Sequence, residues 1–356
     1  MNAGTTDCFS VGCPALLIRD AMNWNELGFN YNRTGGENAR VCYKDGEWGT
    51  PQFTTDEYLP IHMSAACLHY GLEAFEGLKA FRGDDGKIRL FRPQANAFRM
   101  ACGARKLCLP EVPEKLFVDV CVEVVRRNLE FVPPCGSQAA LYLRPLLIGT
   151  KPCLGVRSVD EAMFVVFAVP VGPYFKEGIH PINVIIDRRQ DRAAPYGTGD
   201  VKVGGNYASS MLSFENAHNQ GFAAVIYTDA IEHRYIEECG AANFFAIKGD
   251  RYITPKSPSI LPSITNASLR ILAAGMGLAV EERPIDLAEL PTFDECGACG
   301  TGAVISPIGM VYDLQTGETI RYGEEVGEVS LKLYNTLKDL QYGRIEDRYG
   351  WTLIVE

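Results

Sequence analysis

One lysine, Lys202, lies in a context that favours covalent chemistry. It closes a loop rich in Gly and Pro, P-Y-G-T-G-D, and Gly204 and Gly205 behind it let the backbone approach a bulky ligand. A helix is predicted over residues 206–220, and the positive end of its dipole disfavours a second cation nearby. Desolvation lowers the pKa of a lysine, so its amine becomes a nucleophile towards an aldehyde, as catalysis with pyridoxal phosphate requires. A solvated surface lysine is the alternative.

Three further segments could hold a phosphate and a pyridine ring. The segment SILPSIT (259–265) precedes a predicted helix, whose first backbone N–H groups form an anion site. The loop Gly-Thr-Gly (300–302) is a second small-residue loop with a hydroxyl group. Glu238 ends a predicted strand, and a carboxylate there could keep a pyridine nitrogen protonated. Taken singly, each feature has an ordinary alternative: a helix cap by Ser263 or Thr265, or a surface acid at a strand end.

Composition and charge exclude several classes of function. The chain has 356 residues, 47% of them hydrophobic and 22% charged, which is typical of a globular protein of one very large or two ordinary domains. A net charge of −10, with no basic run longer than two residues, argues against nucleic acid as a partner. No apolar run is long enough to span a membrane, and the N-terminal segment lacks the charged-then-apolar order of a signal peptide.

The cysteines favour a reducing compartment. Twelve cysteines are irregularly spaced, which suits free thiols in the cytoplasm better than a disulfide scaffold, and no metal site is predicted. Cys296 and Cys299 form C-G-A-C in a segment predicted to be extended, where residues three apart point to opposite faces. We therefore interpret this pair as structural and not as a redox switch.

The order of predicted elements indicates two domains. A small α+β domain is expected over residues 1–169, an interdomain linker rich in Gly and Pro over 170–181, and a larger domain over 182–356. The predicted strands are 87–91, 139–148, 162–169, 182–186, 223–228, 234–237, 244–247, 278–283 and 303–308. The predicted helices are 93–107, 118–131, 206–220, 263–276 and 324–341.

Six segments together resemble the branched-chain aminotransferases, which are fold-type-IV enzymes that use pyridoxal 5′-phosphate. They are HYGLEAFEGLKAFRG (69–83), RLFRPQANAFRM (89–100), YLRPLLIG (142–149), KVGGNYASS (202–210), SILPSIT (259–265) and GTGAVISPIG (300–309). The resemblance covers nearly the whole chain. It implies an α+β and α/β two-domain fold like that of D-amino-acid aminotransferase, in which the larger domain has mixed β-sheets, a barrel-like core and helices.

The resemblance also implies roles for single residues. Lys202 resembles the catalytic lysine that forms the Schiff base and carries the proton, and Glu238, rather than Glu237, resembles the acid at the pyridine nitrogen. The implied cofactor-binding residues are Arg99, Lys202, Tyr207, Glu238, Leu261, Ile264, Thr265 and Thr301. The implied substrate-binding residues are Phe29, Tyr70, Tyr142, Arg144, Ala241, Gly302 and Ala303. Among these, Arg144 is expected to bind the second carboxylate of glutamate.

Three positions depart from the family's usual pattern. Ser263 stands where the family usually has Gly, and Asn266 where it often has Arg. Both changes leave the backbone N–H groups in place, so phosphate binding is expected to persist. Ala241 stands where some relatives have a threonine near the substrate carboxylate, which would loosen carboxylate binding somewhat.

The activity implied by the resemblance is reversible transfer of the amino group of L-leucine, L-isoleucine or L-valine to 2-oxoglutarate, giving branched-chain 2-oxo acids and L-glutamate. A homodimer is also implied, with the loop at residues 154–156 reaching the partner's site. A D-amino-acid aminotransferase or an aminodeoxychorismate lyase is the alternative within the fold, and a catalytically inactive binding or redox protein is one outside it. An NAD-linked oxidoreductase is disfavoured, since no G-x-G-x-x-G follows an early strand.

Overall fold

The strands of this computed structural model form two nine-stranded sheets within residues 16–17, 22–24 and 26–355, which are the residues that the structure describes. In chain order the strands are β1 (Asn38–Lys44), β2 (Glu47–Trp48), β3 (Gln52–Thr54), β4 (Glu73–Phe75), β5 (Leu78–Arg82), β6 (Ile88–Phe91), β7 (Ala140–Gly149), β8 (Ala162–Val171), β9 (Ile182–Ile186), β10 (Ala224–Thr228), β11 (Ile236–Cys239), β12 (Ala242–Lys248), β13 (Arg251–Pro255), β14 (Ala279–Arg283), β15 (Glu295–Gly300), β16 (Val304–Asp313), β17 (Thr319–Arg321) and β18 (Thr352–Ile354).

The helices cover the sheets with amphipathic faces. They are α1 (Ala66–Tyr70), α2 (Pro93–Lys106), α3 (Glu114–Arg127), α4 (Gly204–Ser209), α5 (Met211–Asn219), α6 (Ile264–Gly275) and α7 (Glu328–Tyr342), with 3₁₀ turns at Leu129–Phe131 and Leu287–Thr292. In α3 the buried residues Phe117, Val120, Cys121 and Val124 recur at the spacing of one helical face. No helix in the described part of the chain is long and apolar enough to cross a membrane.

The first sheet is antiparallel and has the order β18-β6-β5-β7-β8-β1-β2, with β3 beside β1 and β4 beside β7. Its central strand β8 is buried along nearly all of its length, which explains its continuous apolar run. Phe164 and Val166 pack into the core under α3, while Met163 and Val165 belong to a separate cluster on the other face. Among the described residues, Leu59, Ile61 and Cys67 pack on this second face.

The second sheet closes into a barrel. Its strands β11, β10, β9, β16, β15 and β12 follow one another in order, and β11 also pairs with β12, which completes the ring. The sheet is mixed, because β9 runs parallel to β10 and to β16 whereas the pairs around β15 are antiparallel. The expected mixed sheets and barrel-like core are therefore present.

The elements differ from the predicted ones at several places. The predicted helix 206–220 is two helices, α4 and α5, that meet at Ser210. The strands β1, β2, β3, β13, β17 and β18 were not predicted. Because β18 pairs with β6, the last strand returns to the first sheet, although its residues follow the barrel in the chain. The domain bounds 1–169, 170–181 and 182–356 remain a prediction.

Candidate active site

Lys202 lies between the two sheets, at the start of α4. Its Nζ donates a hydrogen bond to Oη of Tyr207 at 2.5 Å and lies 4.7 Å from the ring centroid of Phe75. Burial, followed by the charge of Arg99, lowers the pKa of Lys202 to about 8. Burial and the charge of Glu238 raise the pKa of Tyr207 to about 12. A lysine whose amine is partly neutral therefore lies against a tyrosine that keeps its proton.

Strand β4 of the first sheet fixes the backbone around Lys202. The N–H of Phe75 donates to the carbonyl of Lys202 at 3.0 Å, and Oε1 of Glu73 accepts from the N–H of Gly204 at 2.5 Å. Between these contacts, Ala74 packs with Val201 and Val203 in a small buried cluster. The position of the lysine is thus set by the first sheet as well as by the barrel.

Glu238 is the buried acid of the site. Its Oε1 accepts from the N–H of Leu261 at 2.8 Å and lies 3.3 Å from Nη2 of Arg192. Burial raises the pKa of Glu238, and Arg192 offsets this only in part. Glu238 lines a small cavity whose other walls are Arg192, Val201, Asn206, Tyr207, Ser210, Gly240, Ala241 and Leu261. Glu237 does not line this cavity and accepts a hydrogen bond from Ser257.

Arg99 is held by a buried carboxylate that the sequence did not indicate. Its Nε and Nη2 donate to the two oxygens of Glu76 at 2.7 and 2.8 Å, and its Nη1 donates to the carbonyl of Pro262 at 2.9 Å. Burial alone would lower the pKa of Arg99, but the charge and hydrogen bonds of Glu76 outweigh it and the pKa is raised. Arg99 therefore reaches the 259–265 segment with its charge already paired.

Three residues expected to donate hydrogen bonds to the cofactor phosphate line a second small cavity. They are Ile264, Thr265 and Thr301. Ser263 caps α6, because its Oγ accepts from the N–H of Asn266 at 3.1 Å and its carbonyl accepts from Ala267. In the described part of the chain the N–H groups of Ile264 and Thr265 have no such partner. The alternative of Ser263 as a cap and the proposal of an anion site are thus compatible.

An aromatic wall adjoins the lysine on the side of the first sheet. The ring of Phe29 lies 5.4 Å from that of Tyr142 and 6.1 Å from that of Tyr174, and a side chain at Gly302 would contact Phe29 and Tyr174. Arg144 enters this wall: its Nη2 donates to Oη of Tyr142 at 3.1 Å, and its Cζ lies 4.8 Å from the ring centroid of Phe75.

Arg144 has no carboxylate within salt-bridge distance among the residues that the structure describes, and its buried Nε has no hydrogen-bond partner there. Ala303 follows Gly302 in the turn that leads into β16. Tyr70 lies apart from this group, because its Oη accepts from the N–H of Gly155 at 2.6 Å in the loop before β8.

Residues 73–311 match the model of the family described as amino-transferase class IV, about two thirds of the chain. The chain belongs to the class IV aminotransferases. A branched-chain-amino-acid aminotransferase of Haemophilus influenzae is 48% identical over 342 residues, which cover 94% of this chain and 99% of that protein. One of Helicobacter pylori is 44% identical over 333 residues, which cover 93% and 97%. The crystal structure of the Escherichia coli branched-chain amino acid aminotransferase superposes with a TM-score of 0.75 at 28% identity, covering 89% of this chain and all of that one.

Sequence reasoning missed four polar groups of this class IV aminotransferase site: Glu73, Glu76, Arg192 and Tyr174. Glu73 and Glu76 are charged residues inside the otherwise apolar segment L-E-A-F-E-G. Arg144, in the apolar segment A-A-L-Y-L-R-P-L-L-I, carries the same signal of a charge among apolar residues. Arg192 and Tyr174 lie in irregular loops, where no periodicity indicates which side chains face the site.

The C-G-A-C pair of this class IV aminotransferase has its two sulfurs on opposite faces of β15. Cys296 packs in the core that contains Ile308, whereas Cys299 packs in the one that contains Leu269. Burial raises the pKa of both thiols well above the usual range. The expected placement of the two residues on opposite faces is therefore observed, while the absence of a redox role remains a prediction. No cluster that could hold a metal ion occurs among the described residues.

Proposed function

We propose that this protein is a branched-chain-amino-acid aminotransferase, which reversibly transfers the amino group of L-leucine, L-isoleucine or L-valine to 2-oxoglutarate. The observation that carries the proposal is that Lys202 and Arg144 lie against the same ring of Phe75. A partly buried lysine and tyrosine and a buried acid thus adjoin an aromatic wall whose guanidinium has no carboxylate partner among the described residues. The lysine, tyrosine and acid suit amino-group chemistry. The aromatic wall with its guanidinium suits both an aliphatic and an acidic substrate side chain. The names of the relatives agree with this assignment.

The residues present fit pyridoxal 5′-phosphate. The buried carboxyl of Glu238 and the phenol of Tyr207 line a cavity together with the apolar side chain of Leu261. This combination of polar and apolar groups suits a flat ring with polar edges. The free N–H groups at the start of α6, with Thr301 beside them, suit a phosphate. Lys202 would attach the cofactor, and Arg99, which donates to the carbonyl of Pro262, would hold the 259–265 segment in place. When bound, this cofactor supplies an electron sink for the charge that develops at the substrate α-carbon.

The protein's own groups would manage the protons. The amine of Lys202, with its pKa lowered to about 8, exists in part as the neutral base near neutral pH and can take the α-proton and return it. Glu238 would hold a proton at the ring nitrogen, and its fixed contact with the N–H of Leu261 keeps the carboxyl oriented. Tyr207 would donate to an oxygen on the ring, since its raised pKa keeps the phenol protonated.

The side chains of the branched-chain amino acid and of glutamate would both bind against the same aromatic wall. Phe29, Tyr142 and Tyr174 offer apolar surface to a branched aliphatic side chain. The guanidinium of Arg144 would bind the second carboxylate of glutamate or 2-oxoglutarate, since this partly buried charge has no carboxylate within salt-bridge distance among the described residues and a planar guanidinium matches a carboxylate. Leucine would leave Arg144 against the aromatic rings.

We also propose a homodimer, located in the cytoplasm. Leu154 and Val156 are 79% and 86% exposed, although both are apolar, and Met63 is 81% exposed. One face of the first sheet, at Leu146, Val165 and Phe167, borders a cavity of about 250 Å³. A second copy of the chain would cover this face, and the loop at residues 154–156 would then reach the partner's site. The ten described cysteines are free thiols, which suits the cytoplasm.

The visible spectrum of the purified protein tests the assignment. We expect a bound chromophore that borohydride reduces onto Lys202, and amino transfer from leucine to 2-oxoglutarate. Lys202→Ala should fold but lose more than about a hundred-fold in turnover, since loss of a general base alone costs roughly 10²–10⁴-fold. A colourless protein without transfer activity, or a Lys202→Ala variant that stays active, would refute the proposal.

A further inference from the structure

Asn206, on the first turn of α4, binds the loop that carries Lys202. Its side chain is buried, and its Nδ2 donates to the carbonyl of Thr198 at 2.7 Å and to that of Val201 at 2.9 Å. Its Oδ1 accepts from Oγ1 of Thr198 at 2.7 Å. One amide group thus makes three hydrogen bonds to the loop. None of the steps proposed above uses Asn206.

The partners of this amide determine its orientation. A backbone carbonyl can only accept hydrogen bonds, so the nitrogen of the amide must face the carbonyls of Thr198 and Val201. The hydroxyl of Thr198 then donates to Oδ1. Both N–H groups of Asn206 are therefore used by the loop, and neither is left to donate to a cofactor or a substrate.

The bond to Val201 acts directly on the backbone of Lys202. The carbonyl of Val201 belongs to the peptide unit that enters Lys202, and Asn206 holds it. The carbonyl of Lys202 belongs to the peptide unit that leaves it, and the N–H of Phe75 on β4 holds that one at 3.0 Å. Because each peptide unit is planar, the two contacts together restrict both backbone dihedral angles of Lys202. They therefore set the direction in which the lysine side chain leaves the backbone.

The residue after Asn206 holds the other end of the lysine. Oη of Tyr207 accepts from Nζ of Lys202 at 2.5 Å, so two consecutive residues of α4 contact the loop before the lysine and its amine. Residues 187–203, all of which the structure describes, contain no helix or strand. Carbonyl groups in such a loop need side-chain donors when they are buried, as that of Val201 is.

We propose that Asn206 is a positioning residue for Lys202: by binding the carbonyls of Thr198 and Val201, it holds the amine beside Tyr207, where it would bond to the cofactor. The inference rests on the proposed function and deepens it. Since both N–H groups of Asn206 are used by the loop, the residue should affect the processes that use the lysine and not the binding of the ring and phosphate as such.

Two forms of the cofactor separate these effects in the full-length apoprotein. Pyridoxal 5′-phosphate has an aldehyde that bonds to Lys202, whereas pyridoxamine 5′-phosphate carries the same ring and phosphate without an aldehyde. Their dissociation constants are measured by fluorescence quenching for wild type, Asn206→Leu and Asn219→Leu, an exposed control at the end of α5. Asn206→Leu should weaken binding of pyridoxal 5′-phosphate by about ten-fold or more, the scale of a buried carbonyl that loses its donor. Binding of pyridoxamine 5′-phosphate should change far less, and Asn219→Leu should match wild type for both.

Thr198 provides a test that separates hydrogen bonding from packing. Thr198→Val keeps the shape of the side chain but removes the donor to Oδ1 of Asn206, whereas Thr198→Ser keeps the hydroxyl and removes a methyl group. Thr198→Val should raise the ratio of the dissociation constants of pyridoxal and pyridoxamine 5′-phosphate, by less than Asn206→Leu does. Thr198→Ser should keep the wild-type ratio. A role in packing alone predicts the opposite order.

Turnover gives an independent measurement. Asn206→Leu should lower kcat for leucine with 2-oxoglutarate by at least about ten-fold with a smaller change in KM, since a misplacement of about 1 Å can cost about a hundred-fold in rate. Equal losses of affinity for the two cofactor forms, or an unchanged kcat, would overturn the proposal. If Asn206→Leu does not fold, a ratio in Thr198→Val no higher than that in Thr198→Ser overturns it. A wild-type protein without transfer activity would refute the proposed function, and the affinity ratios would still decide the role of Asn206.

Discussion

Glu237 and Glu238 are adjacent buried carboxyl groups with different surroundings. Only Glu238 faces Tyr207 and Leu261, whereas Glu237 lies against Ser257. Glu238→Gln keeps the size of the side chain but removes the charge that would hold a proton on the ring nitrogen. We expect turnover to fall by about a hundred-fold or more, the scale of a lost acid–base group, while cofactor remains bound.

Glu237→Gln is the matched control for this prediction. It removes a carboxylate of equal burial one residue away, so any general effect of charge or folding appears in both variants. Turnover and the cofactor absorbance band are measured together. A larger loss in Glu237→Gln than in Glu238→Gln would mean that the assignment is wrong by one residue.

Arg144 distinguishes the two kinds of substrate at the scale of a single side chain. Leucine brings no second carboxylate, so its half-reaction makes no demand on the guanidinium. Arg144→Met should raise KM for 2-oxoglutarate by about ten-fold or more, given roughly 1.5–3 kcal/mol for a hydrogen bond to a charged group. The half-reaction with leucine should change far less.

Stopped-flow absorbance of the cofactor separates these two half-reactions. The aromatic contacts of Arg144 with Phe75 and Tyr142 mean that its removal also disturbs packing, and packing would affect leucine and glutamate alike. Equal losses for both substrates would therefore assign Arg144 to the fold and not to recognition of the carboxylate.

At the scale of elements, the contact between β4 and α4 positions Lys202, the proposed catalytic residue. A Cβ added at Gly204 would lie 1.9 Å from Oε1 of Glu73, whereas one added at Gly205 would meet nothing within 4 Å. Gly204→Ala should therefore break the hydrogen bond to Glu73 and displace Lys202. We expect a loss of about 1.5–3 kcal/mol in the free energy of unfolding and a fall in kcat of at least about ten-fold.

Gly205→Ala is the stability control for this contact, since alanine is favoured over glycine in a helix by about 1 kcal/mol. Chemical denaturation of both apoproteins measures the difference. If Gly204→Ala is as stable as Gly205→Ala and equally active, the β4 contact does not position the lysine.

Local sequence patterns predicted where helices and strands occur better than they predicted where a helix breaks. The pattern of residues 206–220 is helical throughout, yet the helix breaks at Ser210. Oγ of Ser210 donates to the carbonyl of Tyr207, and Oγ of Ser213 donates to the carbonyl of Ser210. Such side-chain bonds compete with the helical ones, and which of them forms depends on tertiary contacts, here the phenol of Tyr227. The three-residue strand β18 lies in W-T-L-I-V, which has high β propensity, but no local pattern specifies its pairing with the distant β6.

The motifs indicated which side chains to look for, and their roles remain a prediction. In the structure Lys202 is hydrogen-bonded to Tyr207, and Tyr207 and Glu238 line one cavity. The pairing of Arg99 with Glu76 was not predictable, because it depends on how β4 and α2 meet. The contact of Tyr70 with Gly155, instead of with the other expected substrate-binding residues, was not predictable either. Its partner is the 152–157 loop, and a site shared between two chains would explain why Tyr70 lies with that loop and apart from Phe29.

At the scale of the whole molecule, the proposed dimer predicts that one chain completes the site of the other. Replacing Leu154 and Val156 by alanine trims two side chains that are 79% and 86% exposed and contact little within the chain. The double variant should fold normally but show a raised KM for all substrates, about ten-fold, since burying an aliphatic side chain contributes about 1.5–3 kcal/mol. Ile231→Ala, which trims a 75% exposed residue between β10 and β11, is the control and should be unchanged.

Mixing variants decides whether the loop acts on its own chain or on the partner. The Lys202→Ala variant lacks Lys202 but has an intact loop. The loop variant, with alanine at positions 154 and 156, has Lys202 but a trimmed loop. After the two are unfolded together and refolded, mixed dimers should contain one site with both an intact Lys202 and an intact loop from the partner. The control is the same amount of loop variant refolded with a chain that carries both Lys202→Ala and the trimmed loop. At subsaturating substrate, the activity of the first mixture should exceed that of this control. Equal activities would mean that the loop serves its own chain or none, and sedimentation that finds only monomers would refute the dimer itself.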